Sequence, residues 1–121
     1  MIDIHKCKQR LIEEALAADE SNRILWERAR KDARSIVEMI MRDFAPIRIY
    51  QWGSVLEPDH FNEISDIDIA VEGITKAENI FSLLAKASEM TDFSLDIVQI
   101  ECIAPEFANI IRMKGVVVYE R

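Results

Sequence analysis

Residues 49–72 read IYQWGSVLEPDHFNEISDIDIAVE and consist of two apolar runs joined by a polar loop. The first run ends at Gly53-Ser54, and eleven residues later the second run begins with Asp66 and Asp68, separated by one isoleucine. In a β-strand, residues two apart share a face and lie about 6–7 Å apart along the chain. The second run therefore predicts a strand with two carboxylates on one face and aliphatic side chains directed into a core.

This arrangement of carboxylates and small residues favours a particular chemistry. Paired carboxylates such as Asp66 and Asp68 suit hard divalent cations such as Mg2+, and the Gly53-Ser54 turn offers a hydroxyl and free backbone N–H groups to a phosphate. Asp96 lies on a third predicted strand and can share their face if the two strands are neighbours. A carboxylate triad can hold two metals roughly 3.5–4 Å apart, or Asp96 can take a proton from an attacking hydroxyl. These residues together predict metal-dependent chemistry on a nucleoside triphosphate.

Several other side chains have two interpretations each. His60 belongs either to a solvated acidic loop or to the nucleotide site, and Trp52 either stacks on a base or packs in the core. A lone Asp-x-Asp is also common on solvated strands, so the prediction depends on the combination of elements. The candidate neutralisers of phosphate charge, each of which can equally be ordinary surface charge, are Arg48, Lys76, Arg112 and Lys114.

Size and composition indicate one soluble globular domain. The chain has 121 residues, of which 50% are hydrophobic and 31% charged, and no apolar run approaches a membrane span. The amino terminus lacks the form of a signal peptide, so we expect a cytoplasmic location. Cys7 and Cys102 fit no metal-ligand spacing and are expected to be free thiols. The net charge of −7 argues against non-specific binding to nucleic acid.

The amino-terminal third of the chain has helical periodicity and contains no Gly or Pro between residues 3 and 44. One continuous helix would be about 60 Å long, whereas a domain of this size is about 35 Å across. We therefore favour a break near Asp19–Asn22, with Asp19 or Ser21 capping a second helix; the alternative is a helix that projects towards a partner. The predicted division is an N-terminal helical extension at 1–44, packed on or beside a core at 45–121.

The rest of the chain alternates strands and helices. A helix over 76–90 is predicted to be capped by Thr75, and a short helix from Pro105 to Met113 to end at Gly115. The fold class is α/β (α+β), with a small mixed β-sheet of about four strands flanked by helices. The predicted strands are 47–52, 66–72, 94–100 and 116–119, and the predicted apolar face of the 76–90 helix is Ala77, Ile80, Phe81, Leu84 and Ala87.

The pattern of Gly53-Ser54, then Asp66-x-Asp68, then Asp96 about thirty residues later is similar to that of the DNA polymerase β-like nucleotidyltransferases. The short form of the chain, with PEF at 105–107 and MKGVVVY at 113–119, resembles the minimal nucleotidyltransferases, or MNT proteins. The resemblance covers about residues 45–121. It implies transfer of AMP from ATP, with Mg2+ as cofactor and two ions expected during catalysis.

By position in the motif, the resemblance makes Asp66, Asp68 and Asp96 the metal-binding catalytic carboxylates and Gly53 with Ser54 the phosphate-holding turn. Relatives commonly carry a basic residue soon after the Gly-Ser, whereas here the loop at 55–60 contains neither Lys nor Arg. An acidic loop beside a triphosphate is unfavourable unless metal or partner residues compensate for its charge.

The resemblance also implies a partner. Many such proteins are antitoxins of HEPN-type helical toxins, which they neutralise by binding or by adenylylating a side chain. The leading hypothesis is therefore an antitoxin that transfers AMP to a hydroxyl of its toxin, and the alternative is a non-catalytic antitoxin that masks the toxin. The N-terminal helices could dock the partner or form a homo-oligomer, although packing on the sheet is the simpler explanation. Modification of a small molecule would require an acceptor-binding region that the sequence does not contain.

Overall fold

A computed structural model describes residues 3–121 of the chain. Its elements follow the predicted order of helix, two strands, helix, strand, helix and strand. Each strand agrees with its predicted range to within one residue at either end. The helices are α1 (Ile4–Phe44), α2 (Ala77–Glu89) and α3 (Pro105–Lys114), and the strands are β1 (Arg48–Trp52), β2 (Ile67–Glu72), β3 (Leu95–Gln99) and β4 (Val116–Glu120).

The four strands form one mixed sheet in the order β3-β2-β1-β4. β1 pairs antiparallel with both β2 and β4, whereas β2 and β3 are parallel because α2 connects them as a crossover. This topology confirms the predicted α/β (α+β) class and the mixed four-stranded sheet. It also confirms that the strand carrying Asp96 is the neighbour of the strand carrying Asp68.

The predicted break in the amino-terminal helix is wrong, because α1 runs without interruption for 41 residues. Arg23 explains the continuity at the expected break: its guanidinium pairs with Glu20 at 2.8 Å and with Glu27 at 2.9 Å, on either side along the same helix. Such pairs at spacings of three and four residues support an exposed helix. Asp3 caps the first turn by accepting hydrogen bonds from the backbone N–H groups of His5 and Lys6.

The main core lies between one face of the sheet and the second half of α1, together with α2. The first buried residue of α1 is Ala29, and from there the helix packs its apolar stripe against β1 and β2. The opposite face of the sheet is covered by α3, where Tyr50 and Ala70 pack with Ala108 and Ile111. α3 leaves one end of this second face uncovered, and the polar residues of β2 and β3 lie there.

Two details of α2 differ from the sequence prediction. Lys76, not Thr75, precedes the first helical residue, and no side chain caps the helix. The buried face of α2 contains Ile80, Leu83 and Ala87, while Phe81 is 69% exposed, because the helix is rotated relative to the predicted stripe. α3 begins at its proline and ends at Gly115 as predicted. No helix within residues 3–121 combines the length and apolar character needed to cross a membrane.

Candidate functional site

Three carboxylates lie at the end of the sheet that α3 leaves uncovered. In the ladder, Asp68 of β2 is paired in register with Asp96 of β3 on one side and with Trp52 of β1 on the other. Asp66 comes just before β2, one residue ahead of the first strand residue. Asp66 and Asp96 are exposed, whereas Asp68 is partly buried between its two neighbouring strands. The strand register therefore brings the three predicted acids to the same end of the sheet.

The electrostatics of this end of the sheet are unfavourable for three ionised carboxylates. Burial, and then repulsion from Asp96 and Asp66, raises the pKa of Asp68 from 3.8 to about 7. No three His, Cys, Asp or Glu side chains among residues 3–121 converge closely enough, as placed, to hold a metal ion. Mutual repulsion between carboxylates opposes such convergence when no cation lies between them. The donor set nevertheless fits Mg2+, which prefers carboxylate oxygens and would relieve the repulsion that raises this pKa.

The Gly53-Ser54 turn lies directly beside these acids. It follows the last residue of β1 and forms a single 3₁₀ turn from Gly53 to Leu56. Gly53 has a φ of +78°, and a Cβ at this position would collide with the carboxylate of Asp68. Glycine is therefore needed here both for the backbone conformation and for the close approach to the acid.

Trp26 of α1 holds this turn in place, a contact that the sequence did not reveal. Its indole Nε1–H donates to the backbone carbonyl of Val55 at 2.9 Å, and the Val55 side chain is buried. The two residues are 29 positions apart, so no local pattern could indicate the pairing. The helix that builds the core thus also fixes the position of Gly53 and Ser54.

A cavity of about 580 Å3 opens beside the turn, and none of the three carboxylates contributes to its lining. Trp52 and Phe107 pack edge to face in its wall, with ring centroids 5.3 Å apart and an interplanar angle of 88°. The indole Nε1 of Trp52 is buried without a hydrogen-bond partner in the described chain. Lys114 contributes the cationic group to a lining that otherwise consists of Trp52, Gly53, Ser54, Leu56, Glu57, Phe107, Ile110, Ile111 and Val116.

The other proposed phosphate-binding cations lie elsewhere. Arg48 is at the opposite end of β1 from Trp52, about 13 Å away along the strand, and its guanidinium pairs with Glu72 at 3.1 Å. Arg112 pairs with the same Glu72 at 3.2 Å. Lys76 follows the far end of β2, and His60 is exposed in a short 3₁₀ turn. Of the four candidate cations, the structure therefore brings only Lys114 to the Gly-Ser turn.

The mixed sheet with its flanking helices has the fold of the polymerase β-like nucleotidyltransferases. The chain belongs to this family: the family model described as polymerase beta, nucleotidyltransferase, matches residues 34–121. The matched region contains the last turns of α1 and the whole sheet. No curated protein sequence matches the chain.

Solved structures share the fold at low sequence identity. A chain of the MntA-HepT toxin-antitoxin complex is 20% identical, with a TM-score of 0.56 over 74% of this chain and 71% of that one. A chain of a toxin-antitoxin complex with AMP-PNP is 24% identical, with a TM-score of 0.58 over 72% and 73%. A Sulfolobus solfataricus protein assigned as a nucleotidyltransferase is 22% identical, with a TM-score of 0.50 over 86% and 88%.

Proposed function

We propose that this nucleotidyltransferase transfers AMP from ATP to a hydroxyl of a protein partner, with release of pyrophosphate. The observation that carries the proposal is the in-register pairing of Asp68 with Asp96 beside the Gly53-Ser54 turn. Phosphoryl-group chemistry requires charge neutralisation and positioning more than covalent participation by the protein. This end of the sheet combines carboxylates, a tight turn and an adjoining cavity, which together supply groups for charge neutralisation and for positioning.

Each group has a proposed role in the transfer. Asp66, Asp68 and Asp96 would hold Mg2+, which neutralises phosphate charge and aligns the attacking and leaving oxygens. The backbone N–H groups of the turn and the Ser54 hydroxyl would bind the phosphates. Asp96 is exposed on β3 and is therefore suited to accept the proton of an incoming hydroxyl.

The cavity behind the turn is the proposed site for the nucleoside. Its volume lies within the range of small-molecule sites, and Trp52 and Phe107 give it an aromatic wall. Lys114 supplies a positive charge that the acidic loop after the turn lacks. In this arrangement, a basic residue from α3 takes the place of the basic residue expected soon after the Gly-Ser.

We further propose that the acceptor is a helical toxin of the HEPN type and that the protein acts as its antitoxin in the cytoplasm. Two of the structures that share its fold are toxin-antitoxin complexes, one of them with AMP-PNP. The alternative is an antitoxin that masks its toxin without catalysis. The close fit of Gly53 against Asp68 favours the catalytic proposal, because a masking surface has no need of a turn held against a carboxylate.

The first experiment measures ATP binding by calorimetry with and without Mg2+. We expect Mg2+-dependent binding in the wild type and its loss in Asp66→Ala/Asp68→Ala. A Glu78→Ala/Glu89→Ala variant also removes two exposed charges, but from α2, and should bind like the wild type. Equal binding in all three proteins would contradict the proposed metal and nucleotide site.

A second experiment separates catalysis from masking. A candidate toxin of the HEPN type would be incubated with the protein and ATP labelled at the α-phosphate, and label transfer and toxin activity would be measured together. Catalysis predicts that Asp66→Ala/Asp68→Ala still binds the toxin but neither labels nor neutralises it. Full neutralisation by this variant without label transfer would refute the catalytic account and support masking.

A further inference from the structure

The amino-terminal half of α1 presents an uncovered apolar stripe. Every residue from 3 to 21 is exposed, although the downstream half of the same helix is built into the core. At 3.6 residues per turn, five of the exposed apolar positions fall on the same face as the buried ones, whereas the exposed side chains of Ile12, Leu16 and Ile24 lie outside this face. This shared face consists of Ile4, Cys7, Leu11, Ala15 and Ala18 in the exposed half and Ala29, Ala33, Ile36 and Ile40 in the buried half.

The charges beside this stripe are separated along the helix. Positive side chains occupy the first part of the exposed half, and negative side chains occupy the second. Two such helices in antiparallel orientation place the basic part of each beside the acidic part of the other, whereas a parallel pair places like charges together. The basic residues that flank the stripe are Lys8 and Arg10, and the acidic residues that flank it are Glu14 and Asp19.

We propose that a second copy of this chain covers the stripe, with the two α1 helices antiparallel over about residues 4–22. The charge complementarity selects this occupant, because the stripe is complementary to itself only in the antiparallel orientation. In the matching register, Leu11 lies beside Ala15 of the second copy and Cys7 lies beside Ala18, so that larger side chains face smaller ones. A two-fold axis relates these contacts and makes the interface isologous.

The flanks of the stripe agree with the same register. Lys8 lies beside Asp19 of the second copy on one flank, and Arg10 lies beside Glu14 on the other. Arg10 pairs with Glu14 of its own helix at 3.3 Å, and both side chains are well exposed, so they can exchange partners at little cost.

The ends of the paired segment also fit. In this register, Ile4 of the second copy reaches Asn22, where the exposed half of the helix meets the folded core. A cavity of about 510 Å3 lies at this position, with Asn22, Trp26 and Pro58 in its lining. The first turn of the second copy would therefore end beside the loop that follows the Gly-Ser turn.

The first test measures the mass of the protein in solution by light scattering coupled to size-exclusion chromatography over a hundredfold range of concentration. We expect a dimer in the wild type and a monomer in Leu11→Asp. Leu16→Asp is a matched control, because Leu16 is 63% exposed and Leu11 is 66% exposed, but it lies about 140° around the helix from Leu11. The control should remain a dimer, and circular dichroism should give equal helix content in both variants.

The second test measures the orientation of the two helices by oxidative cross-linking in a Cys102→Ser background, so that Cys7 is the only native thiol. We expect Ala18→Cys to form a covalent dimer through Cys7 of the other copy. Ala17→Cys, which lies about 100° around the helix from Ala18 and outside the stripe, and the background protein should not cross-link. In the antiparallel register, the two Cys7 residues are separated by about 17 Å along the helix.

Four outcomes would overturn the proposal. A monomeric wild type at every concentration excludes a self-complementary stripe. Equal loss of the dimer in Leu11→Asp and Leu16→Asp would remove the assigned face. Efficient cross-linking of the background protein through Cys7 alone would show a parallel pair. If the wild type is a monomer that forms a stable complex with a helical toxin, and the Leu11→Asp variant does not form this complex, the stripe binds that partner instead of a second copy.

Discussion

Asp68 makes the stability of the metal-free protein depend on pH, and Asp68→Asn isolates this dependence. The pKa of Asp68 is raised from 3.8 to about 7, first by burial and then by Asp96 and Asp66. Below pH 3.8, the carboxyl is protonated in both the folded and the unfolded chain. Between pH 3.8 and 7, only the folded chain keeps the proton. The free energy of unfolding therefore falls as pH rises through this window and levels off above it.

The magnitude follows from the two pKa values. The interval from 3.8 to about 7 corresponds to roughly 4 kcal/mol at 1.36 kcal/mol for each tenfold change in proton affinity. Because Asp68 is only partly buried, solvent screening reduces the effect to roughly 1–2 kcal/mol. Asparagine imitates the protonated carboxyl at every pH. Asp68→Asn should therefore match the wild type near pH 4 and be more stable by about 1–2 kcal/mol at pH 8.5.

Urea unfolding followed by tryptophan fluorescence, in chelator at a series of pH values, measures this difference. Glu89→Gln also replaces a carboxylate by an amide, but on the exposed face of α2. The free energy of unfolding of this control should follow that of the wild type at every pH. Addition of Mg2+ at pH 8.5 should stabilise the wild type and leave Asp68→Asn nearly unchanged, because the variant lacks the carboxylate that binds the cation. The account of the carboxylate cluster would be refuted if Asp68→Asn and the wild type differed in free energy of unfolding by the same amount at every pH from 4 to 8.5.

Three further substitutions test the turn and the cavity. Trp26→Phe keeps an aromatic ring but removes the indole N–H that donates to the backbone carbonyl of Val55. Urea unfolding should therefore show that the free energy of unfolding falls by about 1 kcal/mol, and calorimetry should show weaker binding of ATP. Gly53→Ala meets both a positive φ and the Asp68 carboxylate, and should lose about 1–2 kcal/mol of stability together with nucleotide binding. Lys114→Ala should weaken ATP binding several-fold with stability changed by less than about 0.5 kcal/mol. Arg112→Ala, from the ion pair at the far end of the sheet, should leave ATP affinity unchanged.

Much of the sheet could be predicted because its information is local. The alternation of Asp66, Asp68 and the aliphatic residues around them fixes which face the acids share, and the structure confirms the neighbouring strand that carries Asp96. The boundaries of β1, the end of β2 and the start of β4 follow from Gly and Pro residues at the ends of apolar runs. The role of these acids as metal ligands stays a prediction, since the described structure holds no group of three converged ligands.

What the sequence could not supply depends on contacts between distant segments. Arg48 and Lys114 are equally plausible phosphate ligands in the sequence, and only the direction of β1 and the position of α3 separate them. The continuity of α1 was also hidden, because a helix of about 60 Å exceeds the width of about 35 Å expected for the domain, and this favours a break on grounds of size alone. The pair of Arg23 with Glu20, which reaches into the expected break, uses exposed polar residues that also occur in turns.

The position of Trp26 gives α1 two separate functions along its length. Up to residue 21, the helix is exposed and carries the stripe proposed to pair with a second copy. After it, the helix is buried against the sheet and forms the core. Trp26 lies at the junction, and its hydrogen bond to Val55 connects the helix directly to the turn of Gly53 and Ser54. A protein that pairs through the first half of α1 therefore has its interface joined to its candidate site by one rigid helix, without an intervening hinge.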